Sequence, residues 1–311
     1  MLSKIEVIKA GIARLDASQL VSIGDMISAL IQKQAIGVIL EQRARKMVKE
    51  PCVHCGNSFL VRFGKTPSGT PRLKCRFHDC GKTYVATQNS IFRGMYKKAE
   101  WVNFMGEMRR HSSILDMEGN LPISHSTILR WRHRILSSFQ GNNSLSGVVQ
   151  VDEKFFRKSF KGDQQGVLDA DRFPRIRGGE GVSAGLSHDQ VAVLTAVENH
   201  GNINQAVIGG RTTANIHAAM KGWLSGGAVL VSDKLSAYKH VAAQLGCLHI
   251  KAGESHMNLN RVNAYHNNLE DLINRKCRGV STKHLSKYLS WARLMTRKQP
   301  FGQGMAEMML A

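Results

Sequence analysis

The sequence predicts a mixed α/β domain in its second half, preceded by a helical and zinc-ribbon region suited to binding DNA. Three observations carry this expectation. From about residue 147, short apolar runs and helical stretches follow in the order three strands, helix, strand, helix, strand, helix. Ahead of them, four cysteines stand as two close pairs. The chain also holds 43 Lys and Arg against 23 Asp and Glu, a formal charge of +20.

With 311 residues, 42% of them apolar, the chain can bury a sizeable core in two or three domains, and wholesale disorder is excluded. The charge attracts polyanions, which points to nucleic acid rather than a metabolic substrate. An anionic membrane surface is the other polyanion, but no apolar run approaches the roughly 20 residues of a spanning helix, and no membrane partner is expected. The first residues lack the order of a signal peptide, so a cytoplasmic protein is expected. Its six cysteines should then be thiols or metal ligands rather than disulfides. Positive charge is denser in the first half, where residues 1–147 carry 22 Lys or Arg and 10 Asp or Glu.

Four segments are expected. Residues 1–50 are helical. Within 17–48 the spacing predicts two helices, one through Ile23, Met26, Ile27 and Leu30, the other through Ile36, Ile39 and Leu40. The second ends in a basic run, Arg43, Arg45, Lys46 and Lys49, that reads equally as a solvated face or a phosphate contact. Residues 51–90 form a zinc ribbon. Cys52-x2-Cys55 and Cys75-x4-Cys80 are separated by 19 residues, and two such pairs on adjacent turns supply the four soft ligands of tetrahedral Zn²⁺. A segment with so few large apolar residues needs a staple of this kind. His54 and His78 are substitute ligands, and unliganded buried thiols are the alternative.

Residues 91–146 return to helix over 99–139. Gly119 and Asn120 break it, and Ser124 or Ser126 can cap the next helix. The stretch 114–136 reads as helix, glycine turn and second helix, with Arg130, Arg132, His133 and Arg134 projecting while Ile128, Leu129 and Ile135 pack inward. A DNA-binding recognition helix has this character, and so does an amphipathic helix with a solvated basic face.

Residues 147–300 carry the strands: 148–152, 190–197, 203–209, 228–232 and 247–250. Helices are expected near 213–224, 234–245, 262–276 and 282–297, and the Gly-rich, basic stretch 157–189 reads as a mobile loop. Asp152 closes the first strand and Asp233 the fourth. Carboxylates at the ends of neighbouring strands can share Mg²⁺ ions for phosphoryl transfer, although such residues also serve as simple caps. Glu153 should point to the opposite side from Asp152. Further on, Asn263, His266 and Glu270 share a helix face, and by themselves read as surface polars. Cys247 and Cys277 are isolated and read as ordinary thiols.

Over roughly 50–295 the sequence resembles the ISXO-like transposases of bacterial insertion sequences, within the DDE superfamily. The resemblance lies in the four-cysteine ribbon, in QVDEKFF around Asp152, in 178–197, in VSDKLSAY around Asp233, and in HMNLNRVNAYHNNL with GVSTKHLSKYLSW. It implies a ribonuclease-H-like catalytic domain acting on double-stranded DNA, at transposon ends and target, with Mg²⁺ or Mn²⁺, as a homo-oligomer on DNA near the bacterial nucleoid. It implies Asp152, Asp233 and Asn263 as metal ligands, in the subgroup with Asn at the third position, and His266 as a further site residue. Seven residues after the third ligand that subgroup commonly has Lys, where this chain has Glu270. Glu270 cannot stand in for Asn263, because seven residues advance a helix by roughly 10 Å. The reading is an insertion-sequence transposase. The alternatives are a catalytically decayed zinc-ribbon DNA-binding relative, separated by loss of metal-dependent cleavage, and a structure-selective nuclease, separated by loss of strand transfer.

Overall fold

The computed structural model describes residues 6, 11–13, 15–138, 142–162 and 190–296. These fall into two compact units, one of residues up to 108 with 119–123, the other of 109–118 with 124–296. Most of the expected loop 157–189 lies outside the described residues.

The first unit opens on α1, Ala17–Met47, a single helix where the spacing predicted two. No residue between Leu30 and Ile36 breaks a helix, and Gly37 costs only about 1 kcal/mol relative to Ala. Asp16 starts it with a reciprocal cap: its carboxylate accepts the Gln19 N–H at 2.9 Å, and the Gln19 side chain accepts the Asp16 N–H at 3.1 Å.

Three short antiparallel strands follow in the order β1 (Leu60–Lys65), β2 (Pro71–Cys75) and β3 (Thr83–Val85). They have little apolar mass of their own. The last turns of α1 supply it, because Ala44 and Met47 bury with Leu60, Leu73, Tyr84 and Ala86 in one cluster. Composition places a boundary at residue 50, but this cluster runs across it.

Arg43 is neither a solvated residue nor a phosphate contact. It is buried, and its guanidinium donates to the Ala86 carbonyl at 3.0 Å and to the Gln88 and Asn89 carbonyls at 3.4 Å. A fixed fork of donors suits the turn carbonyls after β3, which the short strands leave unpaired. Arg45, Lys46 and Lys49 are exposed, as a basic surface requires.

The region 99–139 is three helices: α2 (Trp101–Arg109), α3 (Ile114–Asn120) and α4 (His125–Ser138). It breaks at 110–113 as well as after Asn120. Ser113 and Asp116 cap α3 reciprocally at 3.2 and 3.1 Å. Ser124 directly precedes α4, and its carbonyl accepts from Thr127 and Ile128, both at 2.9 Å. Glu118 steadies the turn by accepting the His125 N–H at 3.1 Å.

Of the arginines expected to project from α4, Arg130 is exposed and Arg134 half-buried, but Arg132 is 1% exposed. Its guanidinium donates to the Ser112 carbonyl at 2.8 Å and lies 5.0 Å from the Trp291 ring centroid. The reason is periodicity. Residues 130, 132 and 134 alternate, and alternate residues cannot share a helix face, whereas Arg132 lies four residues after Ile128 and three before Ile135 on the buried stripe. His133 is half-buried too, with its ring 4.1 Å from that of His284.

The second unit is built on a five-stranded mixed sheet in the order β6-β5-β4-β7-β8. Its strands are β4 (Val148–Arg157), β5 (Gln190–Glu198), β6 (Ile203–Ile208), β7 (Val229–Ser232) and β8 (Leu248–Lys251). The first three form an antiparallel meander, and β7 and β8 add in parallel to β4. Parallel neighbours need crossovers, which α5 (Thr213–Met220) and α6 (Ser236–Leu245) provide. Beyond its first residue β5 is buried throughout, as its unbroken apolar run requires of a strand covered on both faces. Trp223, Tyr238, Ile216 and Met220 pack with the sheet's Val149, Val151, Leu194 and Leu230. α7 (Asn260–Glu270), a π-helical turn (Asp271–Lys276) and α8 (Leu285–Thr296) complete the unit. The element order from β4 to α7 is the one read from the sequence, and this mixed sheet with its helices fits a ribonuclease-H-like architecture in general outline. Cys247 packs against the core and Cys277 is half-buried.

The burial of Arg132 makes a prediction. Arg132→Ala should lower unfolding stability by about 2–4 kcal/mol, because it leaves a cavity and an unpaired carbonyl. Arg130→Ala should leave stability unchanged and reduce the salt slope of DNA binding by about 1. Denaturant unfolding and a salt titration of DNA affinity measure the two.

Candidate functional site

In the first unit, the four cysteines come together. Cys52 and Cys55 lie on the turn before β1, Cys75 ends β2, and Cys80 lies in the turn before β3. Their sulfurs are all within 4.8 Å of one another. Cys52 and Cys80 are 3.9 Å apart, and Cys55 and Cys75 are 3.7 Å apart. A tetrahedron with Zn–S bonds of about 2.3 Å has sulfurs about 3.8 Å apart, so the four residues present fit zinc. The histidines are not needed as substitutes: the His54 ring packs edge-on against Tyr84 at 5.6 Å, and His78 pairs with Asp79 at 3.0 Å in solvent. Among the described residues this is the one group of three or more His, Cys, Asp or Glu gathered so closely.

The second unit brings Asp152 and Asp233 to one place on its sheet. The parallel register pairs Val149 with Leu230 and Gln150 with Val231, and there it stops. Asp152 and Asp233 are each two residues beyond the last pair, where β7 has ended. β4 runs on to Arg157, five residues further than its apolar run suggested, held by pairing with β5. Asp152 therefore sits mid-strand, beside a gap in the sheet that Asp233 borders. Burial pushes the Asp152 carboxyl up from its ordinary range, and the Asp233 charge adds to the effect. Two carboxylates that repel each other, both partly open to solvent, are a donor set suited to a hard cation.

α7 lies along the same strand in a regular ladder. The backbone N–H groups of Arg261 and Val262 donate to the Gln150 side-chain oxygen at 3.0 and 3.2 Å. His266 Nδ1 is 3.7 Å from the Asp152 carboxylate, and Lys154 Nζ is 2.6 Å from the Glu270 carboxylate. Two residues along a strand advance about 6.8 Å and four along a helix about 6 Å, so rungs at 150, 152 and 154 meet rungs at 262, 266 and 270. His266 is buried, which with the Lys154 charge pushes its pKa down to about 4, so the ring is neutral at pH 7. Asn263 adjoins the first rung, one turn before His266, and is exposed.

Several residues in this arrangement escape a reading of the sequence alone. Gln150 is buried and docks the start of α7. Glu153 does point away from Asp152, but it is tied to the same place. Its buried carboxylate accepts the Tyr238 hydroxyl at 2.6 Å and lies 3.2 Å from Arg211 Nε, while Arg211 Nη2 reaches Asp233 at 3.2 Å. Asp233 also accepts the Leu235 N–H at 3.0 Å. Arg211 is thus a bridge between the two faces of the sheet. The alternation of QVDEK is the available signal for the strand rungs; nothing local marks Arg211.

The same stretch of chain is recognised by a known family. Residues 144–293 match the ISXO2-like transposase domain. The match takes in Asp152, Asp233, Asn263 and His266, and it leaves the four cysteines outside. No curated protein matches. A solved simian T-cell lymphotropic virus intasome in complex with PP2A regulatory subunit B56 gamma is 10% identical, with 63% of this chain and 72% of that chain covered and a TM-score of 0.31. A likeness so slight carries no argument. Among the described residues, no helix is long and apolar enough to cross a membrane.

The purified protein should carry about one zinc per chain. Elemental analysis should find it, and Cys52→Ser or Cys75→Ser should each release it and lower the melting temperature of the β1–β3 unit. Full thiol reactivity in the untreated protein would count against the site.

Proposed function

We propose that this chain is the transposase of an insertion sequence. It binds the element's ends in double-stranded DNA and catalyses metal-dependent strand cleavage and strand transfer, as a homo-oligomer on bacterial cytoplasmic DNA. The observation that carries the reading is the juxtaposition of Asp152 and Asp233 at the gap between β4 and β7, inside a stretch that matches the ISXO2-like transposase domain. The basic charge and the cysteine cluster support a DNA partner.

On this reading Asp152 and Asp233 hold Mg²⁺ or Mn²⁺, with Asn263 as a neutral third ligand through its amide oxygen. The bound ions supply activation of the attacking oxygen and stabilise charge on the phosphorus. Water opens the phosphodiester at the element end, and the leaving 3′-oxygen takes up a proton. The freed 3′-hydroxyl then attacks a target phosphate, and the target's own 3′-oxygen leaves. Neutral, buried His266 acts through Asp152, whose carboxylate it keeps in place. Arg211 does the same for Asp233 from the other side. Lys154 is held by Glu270 beside the rung of Asp152.

The pairing of Glu270 with Lys154 also bears on the decayed-relative reading. Glu270 and Lys154 pair at 2.6 Å, so their charges cancel on this surface. Cleavage decides between the two readings.

Asp152→Asn and Asp233→Asn should each abolish metal-dependent cleavage of a DNA end while affinity for that DNA is kept. Each change removes one charge from the cage at constant volume. Retained cleavage in either would move the active site elsewhere.

A metal titration of cleavage tests the third ligand. A neutral amide holds Mg²⁺ more weakly than a carboxylate does. Asn263→Ala should lose cleavage, whereas Asn263→Asp should keep part of it and reach half-maximal rate at lower metal concentration. An Ala variant that cleaves like the parent would remove Asn263 from the ligand set.

A further inference from the structure

The second unit holds a cleft of about 420 Å³ that strand cleavage and transfer at Asp152 and Asp233 do not use. It runs between α4, the end of the π-helical turn and the start of α8, with residues 161–162 beyond β4 closing one side. Its lining has two parts of different chemistry.

The floor is apolar and aromatic, its rings set at angles of 45° and 84° to one another. Leu129 and Val280 contribute aliphatic surface. His133 and His284 lie ring to ring at 4.1 Å, and Tyr288 meets His133 edge-on at 5.8 Å, its hydroxyl 3.3 Å from His133 Nε2. Burial, with the charges of neighbouring groups, pushes the His133 pKa down to about 4, so its ring presents a neutral π-face at pH 7. The rim is cationic. Lys161, Lys276, Arg278 and Lys283 all line the cleft and are all exposed. Lys283 also donates to the Gly162 carbonyl at 3.2 Å, which holds one side of the rim in place. Arg278 adopts a left-handed backbone with φ of 52°, a conformation that turns the chain at the mouth. Among the described residues, no Asp or Glu lines the cleft. The nearby acids are engaged at its margin: Asp116 with Ser113, Glu118 with His125, and Asp271 with Arg275.

An aromatic floor beside exposed cations fits a heteroaromatic group that carries negative charge. A volume near 420 Å³ is in the range of small-molecule sites and has room for one nucleotide. His125, at the start of α4, lines the same cleft, and Arg130 is exposed on that helix. Sites that take a base out of its stack combine aromatic or apolar surface around the base with cations on the backbone, and this cleft has both.

We propose that this cleft receives one unstacked nucleotide of a bound DNA strand, with its base on the His133–His284–Tyr288 floor and its phosphates against Lys276, Arg278 and Lys161. The proposal rests on the transposase reading for its ligand and adds to it a place where the strand is held open away from Asp152 and Asp233.

The test uses the full-length chain and short single-stranded deoxyoligonucleotides with 2-aminopurine at one position in each. Binding is followed by anisotropy, and enclosure of the base by its protection from acrylamide quenching. One position should be protected about threefold to tenfold on binding. Leu129→Trp, which fills the cleft, should remove that protection. Lys276→Gln with Arg278→Gln, both on the surface, should remove it too and should lower the salt slope of binding by about 1.4. Protection at no position while the oligonucleotide is bound, or protection unchanged in both variants, overturns the proposal and leaves the transposase reading standing. Displacement of the protected base by polyglutamate at equal charge would assign the cleft to acidic peptides and also overturn it. Failure to bind duplex DNA at all would instead sink the transposase reading.

Discussion

The second unit depends on how α7 is laid against β4. A helix and a strand keep step only where their rises agree, and here four helical residues match two strand residues over three rungs. Each rung has a different physical character. Gln150 is buried and satisfies two of the backbone donors that the start of α7 would otherwise leave unpaired. Asp152 meets a neutral imidazole. Lys154 meets a carboxylate at the open end of the ladder, where water screens the pair. The apolar side chains of α7 along the ladder, Val262, Tyr265 and Leu269, are buried, so the polar ladder sets the register of a contact that apolar packing stabilises.

That register concentrates negative charge, and the sheet offsets it from behind. Asp152 and Asp233 raise each other's energy, and Glu153 adds a third carboxylate on the opposite face. Arg211 is the cation that answers both Glu153 and Asp233, with its guanidinium 5.9 Å from the Phe155 ring centroid. Tyr238, fully buried on α6, supplies a hydrogen bond to Glu153 in place of water. A buried carboxylate without these partners would be protonated or would not stay buried. Removing Arg211 therefore touches both faces of the sheet at once.

Within each unit arginine has two opposite uses, buried and exposed, and this is why the net charge of +20 is a poor guide to which residues meet DNA. Arg43 and Arg132 are interior parts. One gathers the carbonyls behind the short ribbon strands, and the other fills the space between α4 and Trp291. Both have a planar fork of donors that can satisfy several carbonyls from within a core, which Lys cannot do. The positive surface is left to residues such as Arg45, Lys49 and Arg130.

The sequence by itself determined the order of elements from β4 to α7 and the set of four cysteines that come together. Strand and helix periods are local properties of the chain, and so is the spacing of two cysteine pairs, which is why β4 to α7 and the sulfur cluster were legible in advance. The carboxylates Asp152 and Asp233 were legible for the same reason, since each stands where an apolar run ends. Tertiary structure decided what no local pattern contains. It packed the end of α1 on the ribbon. It turned Arg132 inward, although the alternation of 130, 132 and 134 already ruled out a shared face. It brought Arg211, Glu153 and Tyr238 together from three separate elements, and it set Lys154 against Glu270 across 116 positions of chain. Such contacts depend on which strands become neighbours, and neighbours in a mixed sheet are chosen by the burial of whole faces rather than by any single residue.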